Sequence, residues 1–208
     1  FHKAGQMEIN AQDKENIRQK FNLSTLYSNF LKIKYFDVFC KEKSKICLEE
    51  EASRKRAVKD YEKVFFKENR LLSLNSLFNA NELQILLKDK NIRKISKLKS
   101  EILNSGEHTG IVNKIIDDKP IFVHKTYAEY FVADWFINVF DEEKSRAEEI
   151  LRFFLVSILT EEHQIVCSFF NSKLNNEIIE RMTTYNGKTV IMTECEVGLL
   201  NFTIKNGW

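Results

Sequence analysis

Apolar residues recur every three or four positions along most of the chain. This spacing extends from about residue 23 to 47, resumes from 57 to 78 and returns between 92 and 102, with lysine and glutamate on intervening positions. It predicts amphipathic helices that each bury one face. Asn79 or Asn81 can cap a short helix between the second and third segments. One proline and six glycines in 208 residues leave few helix breakers, so the pattern favours a mainly helical fold.

One segment departs from this spacing, between residues 111 and 124. Residues 111–116 and 121–123 are rich in β-branched side chains, which favour extended structure. The Asp-Asp-Lys-Pro sequence at residues 117–120 supplies turn formers between them. The segment therefore predicts a short antiparallel hairpin, which we expect to be the principal sheet of the fold.

A capped helix is predicted directly after the hairpin. Thr126 stands three residues before Glu129, the spacing of a capping box in which the Thr126 hydroxyl accepts from the Glu129 amide and the Glu129 carboxylate accepts from the Thr126 amide. Beyond the cap, Phe131 and Trp135 lie on one apolar stripe, and other apolar residues fill most of the remaining circumference. Asp134 is one of only two polar interruptions. A helix that is apolar nearly all round is expected in the middle of the molecule.

The composition is that of an ordinary globular protein, because hydrophobic residues make up 43% of the chain and charged residues 30%. The net charge of +2 gives no strong field for nucleic acid or for an anionic membrane. No apolar run approaches the roughly 20 residues of a membrane span, and the four cysteines lack zinc spacing or a disulfide-dense pattern. We therefore expect a cytoplasmic chain without membrane contact. Because it begins with Phe1 and not with methionine, we also expect a fragment of a longer protein.

A family resemblance lies at the junction of hairpin and helix. Residues 122–133 read FVHKTYAEYFVA, which resembles the signature F-h-H-x-[ST]-x-x-E-[FY]-[FL]-h-A, where h is an apolar residue. This signature belongs to the winged-helix part of NACHT-type signal-transducing ATPases, which are NLR-like members of the STAND NTPases. Phe122, His124 and Glu129 occupy its most characteristic positions. Residues 26–37 are similar to the helix that follows the nucleotide-binding core in arthropod members of this group, which often carry ankyrin repeats.

The end of the chain resembles the first part of an ankyrin repeat. The segment from Gly187 to Gly198 follows the frame G-x-T-P-L-H-x-A-A-x-x-G. It departs from that frame at several positions, with Val190 in place of proline and Met192 in place of histidine. The resemblance therefore implies one degenerate repeat at most, through which the protein would bind a protein partner.

These resemblances imply a four-part organisation. Residues 1–80 would be a helical segment that follows a nucleotide-binding core absent from this chain. Residues 81–140 would form the winged-helix module, residues 141–184 a C-terminal helical region and residues 185–208 an ankyrin-like start. The implied fold class is mainly α, a helical domain that contains a winged-helix module with one short β-hairpin.

The resemblance also implies a function, the regulatory part of a nucleotide-dependent molecular switch. In this family a P-loop core binds ADP or ATP with Mg, and the winged-helix histidine contacts the ADP phosphate and holds the resting state closed. His124 matches that histidine, while Phe122, Thr126, Phe131 and Trp135 would build the structure around it. The module would make an intramolecular contact with the missing core and relay its release to the repeats, as in innate immune signal transduction.

The chain lacks the two motifs that a nucleotide hydrolase needs. The Gly-Lys-Thr sequence at residues 187–189 has the closing residues of a Walker A loop, but Met182 stands at the place of its first glycine. A hairpin turn explains the aspartates at 117–118 without a Walker B strand. We therefore expect no catalytic residue, metal ligand or cofactor in this chain, and the longer protein would be the NTPase. Glu129 is interpreted as a helix cap and not as a catalytic base.

Two other functions stay open. The first is a nucleic-acid-binding winged helix, because the segment before the hairpin is basic. Its cations are Lys88, Lys90, Arg93, Lys94, Lys97 and Lys99. The hairpin tip, however, would present Asp117 and Asp118 toward the phosphates, so a nucleic-acid partner is not expected. The second is a plain helical interaction scaffold, in which His124 is a hydrogen-bonded residue that ends a strand. A P-loop in the upstream coding sequence would separate the switch from both.

Overall fold

The structure, a computed structural model, has the predicted fold class. The residues that it describes are 23–43, 51–105, 110–142, 146–174, 189–194 and 200–205. These residues are mostly helical, with a short antiparallel hairpin near the middle of the chain, so the prediction of a mainly α fold is confirmed. In chain order the elements are α1 (Leu23–Lys43), α2 (Glu51–Leu77), α3 (Ala80–Leu86), α4 (Asp89–Ser105), β1 (Val112–Ile116), β2 (Lys119–Phe122), α5 (Lys125–Glu142), α6 (Ala147–Phe153), a π-helical turn (Phe154–Ile158), a 3-10 turn (Glu161–His163), α7 (Gln164–Lys173), β3 (Thr189–Glu194) and β4 (Leu200–Lys205).

Three helices followed by a hairpin form one packed unit. Helix α2 contacts α3, α4 and β2, while α4 contacts α3 and β1. The sequence analysis interpreted this order of helices and hairpin as a winged-helix module, an assignment that stays a prediction. Helix α2 also contacts α1 and α5, and the predicted boundary at residue 80 stays a prediction. Residues 1–22 lie outside the described part of the chain.

Helix α3 begins at the predicted cap. The Asn79 side chain accepts from the amides of Asn81 and Glu82 at 3.0 and 3.1 Å, and the Glu82 carboxylate accepts from the Asn79 amide at 2.8 Å. This reciprocal exchange is a capping box and satisfies amides that the first turn of a helix leaves unpaired. It sets the direction in which the chain enters α3 and then α4.

The hairpin turn is shorter than the sequence indicated. Only Asp117 and Asp118 form the turn, both with positive φ (48° and 63°), while Lys119 and Pro120 belong to β2. A two-residue turn with positive φ matches the twist of the strands that it joins. Lys99 on α4 stabilises the turn, because its Nζ lies 2.5 Å from the Asp118 carboxylate and 3.0 Å from the Asp118 carbonyl oxygen.

Helix α5 lies in the middle of the core, as its apolar circumference predicted. It packs against α2 on one side and α7 on another, and it also contacts α1 and β2. Phe131 is fully buried and Trp135 is 8% exposed. Aromatic rings connect α5 to its neighbours, with Phe66 5.5 Å from Phe131 and Phe154 4.9 Å from Phe136 between ring centroids. Such edge-to-face pairs add to the free energy of apolar burial.

The tail does not have the form of an ankyrin repeat over its described residues. Strands β3 and β4 pair as an antiparallel hairpin, in register from Thr189 opposite Lys205 to Glu194 opposite Leu200. An ankyrin repeat would instead begin a helix within residues 189–194. The physical reason lies in the sequence Thr-Val-Ile-Met-Thr, where β-branched residues favour a strand and the helix-starting proline is missing. The two glycines of the predicted frame and residues 175–188 lie outside the described residues.

We predict that Phe131→Ala lowers the free energy of unfolding by about 3–5 kcal/mol, because the closely packed site cannot collapse around the missing ring. Val123→Ala is the matched control, since Val123 is 65% exposed next to the same helix and should change stability by about 0.5 kcal/mol or less. Urea unfolding of both variants measures the difference. A loss below about 1 kcal/mol for Phe131→Ala would contradict the central position of α5.

Candidate functional site

His124 lies at the end of the β1–β2 hairpin and caps the helix that follows. Its side chain is exposed, two residues after Phe122, the end of β2, and directly before Lys125, the first residue of α5. The Nδ1 atom accepts from the Thr126 backbone amide at 3.3 Å and lies 2.7 Å from the Thr126 hydroxyl oxygen. The imidazole thus satisfies a backbone amide of the first turn, the role that Asn or Ser fills at most helix starts.

The predicted capping box of Thr126 and Glu129 is wrong. The cap of helix α5 is His124, two residues before the predicted cap, so Thr126 lies inside the first turn. Its hydroxyl instead bonds sideways, at 2.6 Å, to the hydroxyl of Tyr27 on α1. The Glu129 side chain is buried and its carboxylate lies 3.4 Å from Lys125 Nζ one turn back. A histidine cap was not anticipated because imidazole is uncommon among helix-capping side chains.

The contacts of His124 decide which ring nitrogen carries a hydrogen. A backbone amide can only donate, so Nδ1 acts as the acceptor in its contact with Thr126. The neutral ring then carries its hydrogen on Nε2. The Thr126 hydroxyl can donate to Nδ1 while it accepts from the Tyr27 hydroxyl, which gives a chain of hydrogen bonds from α1 to His124. The exposed imidazole therefore presents Nε2–H as a donor in a fixed orientation.

An exposed apolar surface adjoins this donor. The ring of Phe30 stacks on Tyr127 with centroids 5.7 Å apart, and the His124 ring meets Tyr127 at 6.5 Å. Phe30 is 38% exposed and Val123 is 65% exposed. Burial, followed by the neighbouring Tyr27, raises the pKa of Tyr127, so its phenol stays neutral at physiological pH. We call this surface, formed by Phe30, Val123, His124 and Tyr127, the junction face.

The remaining residues of the predicted signature lie in the core. Phe122 and Phe131 are buried, and Trp135 is nearly so. These three side chains belong to the core beneath β2 and α5, so they contribute structure and present no group to a ligand of His124.

A cluster of charges holds α5 in the core. Asp134 is 8% exposed. Its carboxylate accepts from Nε and Nη2 of Arg70 on α2, both at 2.6 Å, and from Nζ of Lys173 on α7 at 2.7 Å. The Lys173 ammonium also lies 3.0 Å from the Tyr130 hydroxyl. The sequence showed Asp134 only as a polar interruption of an apolar helix, because its partners are 64 and 39 residues away.

The charge of Lys173 persists despite its burial. Burial lowers the pKa of Lys173, but Asp134 and Tyr130 raise it by more, so the net shift is upward from 10.5. Because the pKa of Lys173 is raised in the folded state, the stabilisation from its charge is fully present below the pKa of the unfolded state. It is lost only as the pH rises through the pKa of the folded state. Lys173 is therefore charged at physiological pH.

The basic segment does not form one free cationic face. Lys94 pairs with Glu68 at 3.0 Å and Lys97 with Glu101 at 3.6 Å, while Lys99 is buried against Asp118. These contacts engage half of the six cations that suggested a nucleic-acid surface.

The structure and the comparisons leave the family as a prediction. No group of three or more His, Cys, Asp or Glu side chains suited to a metal ion occurs within the described ranges. No single helix in that part of the chain is long and apolar enough to cross a membrane. One pair of helices, bent by 97° at the break between them, reaches that length and composition only when taken together. Comparison with protein families, with curated proteins and with solved structures gave no match to this chain.

We predict that Asp134→Asn lowers the free energy of unfolding by about 3 kcal/mol, because it leaves the partly buried charges of Arg70 and Lys173 without a counter-charge. Asp60→Asn removes an exposed pair with Lys63 and should cost less than about 1 kcal/mol. Denaturant titration at neutral pH measures both. Equal, small effects would show that the cluster does not hold α2, α5 and α7 together.

Proposed function

We propose that this chain is the regulatory winged-helix part of a nucleotide-dependent molecular switch. In the resting state the Nε2–H of His124 donates to a phosphate oxygen of ADP, which a separate P-loop core of the same protein binds. When ADP leaves, this bond is lost and the module can rotate away from the core. The orientation of His124, with Nδ1 bonded inward and Nε2 exposed, is the observation that carries the proposal.

The position of His124 suits such a contact. The residue follows a paired strand and starts a buried helix, so elements that resist bending hold its backbone on both sides. Its ring is held by Thr126, which is in turn bonded to Tyr27. A donor that is oriented before the ligand arrives loses little entropy on binding. A hydrogen bond to a charged phosphate oxygen is also stronger than one to a neutral acceptor.

The rest of the junction face suits a protein surface next to the nucleotide. Phe30, Tyr127 and Val123 place apolar area beside the histidine. A P-loop core docked there would bury that area and bring its bound ADP to the exposed nitrogen. In this arrangement His124 reports on the nucleotide without chemistry of its own, so the P-loop core would supply the Mg and any hydrolysis. The signature resemblance of residues 122–133 supports the same arrangement.

The test uses the full-length protein that carries this chain, whose coding sequence must contain a P-loop upstream of residue 1. In that protein His124→Ala should weaken ADP binding by roughly ten- to a hundredfold, since a hydrogen bond to a charged acceptor contributes about 1.5–3 kcal/mol. ATP affinity should change much less, because in the open state the module has left the nucleotide. Titration calorimetry with each nucleotide measures both effects.

A second variant separates the phosphate contact from the helix cap. Asparagine is a good N-cap, so His124→Asn should keep the cap on the Thr126 amide, while its shorter side chain cannot reach the phosphate. We expect His124→Asn to retain the stability that His124→Ala loses, about 1 kcal/mol, and yet to lose as much ADP affinity. Full ADP affinity in the asparagine variant, or the absence of an upstream P-loop, would reduce His124 to a structural cap and remove the proposal.

A further inference from the structure

A second feature with affinity for anions lies away from the junction face, in a cleft between α2, α4 and α5. The cleft has a volume of about 520 Å³, within the range of small-molecule sites. Its lining residues are Lys63, Lys67, Arg70, Leu71, Lys90, Asn91, Lys94, Trp135, Asn138 and Val139. Five of these side chains are cationic and none is acidic. We call it the basic cleft.

Helical spacing brings the cations together. Lys63, Lys67 and Arg70 follow one another at four and three residues, which places them on one face of α2. Lys90 and Lys94 stand four residues apart on α4 and face the same cleft. No local pattern in the sequence shows that α2 and α4 face one cleft, to which α2 contributes three cations and α4 two.

Neighbouring carboxylates neutralise only part of this charge. Arg70 and Lys173 share the single carboxylate of Asp134, so that cluster keeps one positive charge. Lys94 is paired with Glu68. Lys67 and Lys90 form no ion pair with any residue that the structure describes. The cleft thus holds at least two ammonium groups without counter-charges, from two different helices.

Two further groups favour an anion in this place. Lys90 and Asn91 belong to the first turn of α4, the end of a 17-residue helix at which the backbone dipole attracts negative charge. The Asn91 side chain in the wall can donate from its amide. Trp135 and Val139 form an apolar part of the wall between the polar groups.

We infer that the basic cleft binds a compact organic polyphosphate, an anion that carries at least two phosphate groups. Several phosphate oxygens can accept from Lys67 on α2 and Lys90 on α4 at the same time, and two phosphate groups carry enough negative charge to match both ammonium groups. An extended nucleic-acid backbone suits the cleft less well, because it needs a row of free cations along a surface. On α4 such a row is interrupted, since Lys97 is paired with Glu101 and Lys99 is buried. This site is independent of His124 and of the proposed switch.

Calorimetric titration of the 208-residue chain with sodium tripolyphosphate tests the inference. The double variant Lys67→Gln, Lys90→Gln should bind at least tenfold more weakly than the parent chain. The matched control is Lys59→Gln, Lys97→Gln, which removes the same charge from the same two helices at exposed positions outside the cleft. This control should stay within about threefold of the parent chain at 0.15 M salt, where exposed charges beyond about 8 Å are screened.

Further measurements separate the alternatives. His124→Ala should leave tripolyphosphate affinity unchanged, so failure of the proposed switch would not imitate failure of this site. ADP as a second probe shows whether a nucleoside on the phosphates adds affinity, and any loss in the cleft variant would support the site. Absence of tripolyphosphate binding, or an equal loss in the cleft and control variants, would overturn the inference. A single-stranded oligonucleotide that binds more tightly than tripolyphosphate, and that loses equal affinity in the cleft and control variants, would also overturn the inference.

Discussion

The burial of α5 on all sides is the constraint on which the rest of the structure depends. A helix with phenylalanine, tryptophan and valine around its circumference is stable only where other elements cover it, and α1, α2, α7 and β2 supply that cover. Asp134 introduces one carboxylate into this environment. Burial of an unpaired carboxylate would be costly, so Arg70 and Lys173 must meet it from α2 and α7. The same side chain therefore fixes three helices relative to one another.

The position of both candidate sites follows from this packing. The first turn of α5 carries the His124 cap, whose Nδ1 contacts the amide and the hydroxyl of Thr126. The middle of α5 supplies Trp135 to the basic cleft, whose other walls are α2 and α4. Arg70 belongs to both the charge cluster and the cleft lining, because its guanidinium faces Asp134 at the edge of the cavity. One packed helix thus positions a single outward donor and a separate group of cations.

Local signals in the sequence predicted the elements better than the contacts between them. The fold class followed from three local signals: the cap of Asn79 with Glu82, the β-branched hairpin and the apolar circumference of α5. Each of these depends on neighbours within a few residues. The bond between Tyr27 and Thr126 spans 99 residues, so no local pattern could show that Thr126 is turned away from a capping box. The ankyrin frame is wrong at residues 189–194 for a local reason. The β-branched side chains there favour a strand, and the proline that would start a helix is missing.

The tautomer of His124 tests the account most directly, because the outward donor depends on Nδ1 being an acceptor. A long-range proton–nitrogen correlation spectrum of the 208-residue chain with its imidazole neutral distinguishes the two ring nitrogens. We predict a single tautomer with hydrogen on Nε2 and an unprotonated, hydrogen-bonded Nδ1. In Thr126→Val the backbone amide of residue 126 still donates to Nδ1, but the hydroxyl contact is lost. The Nδ1 signal should therefore move toward that of a free imidazole. A ring protonated at Nδ1, or one that averages both tautomers in the unmodified chain, would contradict the account.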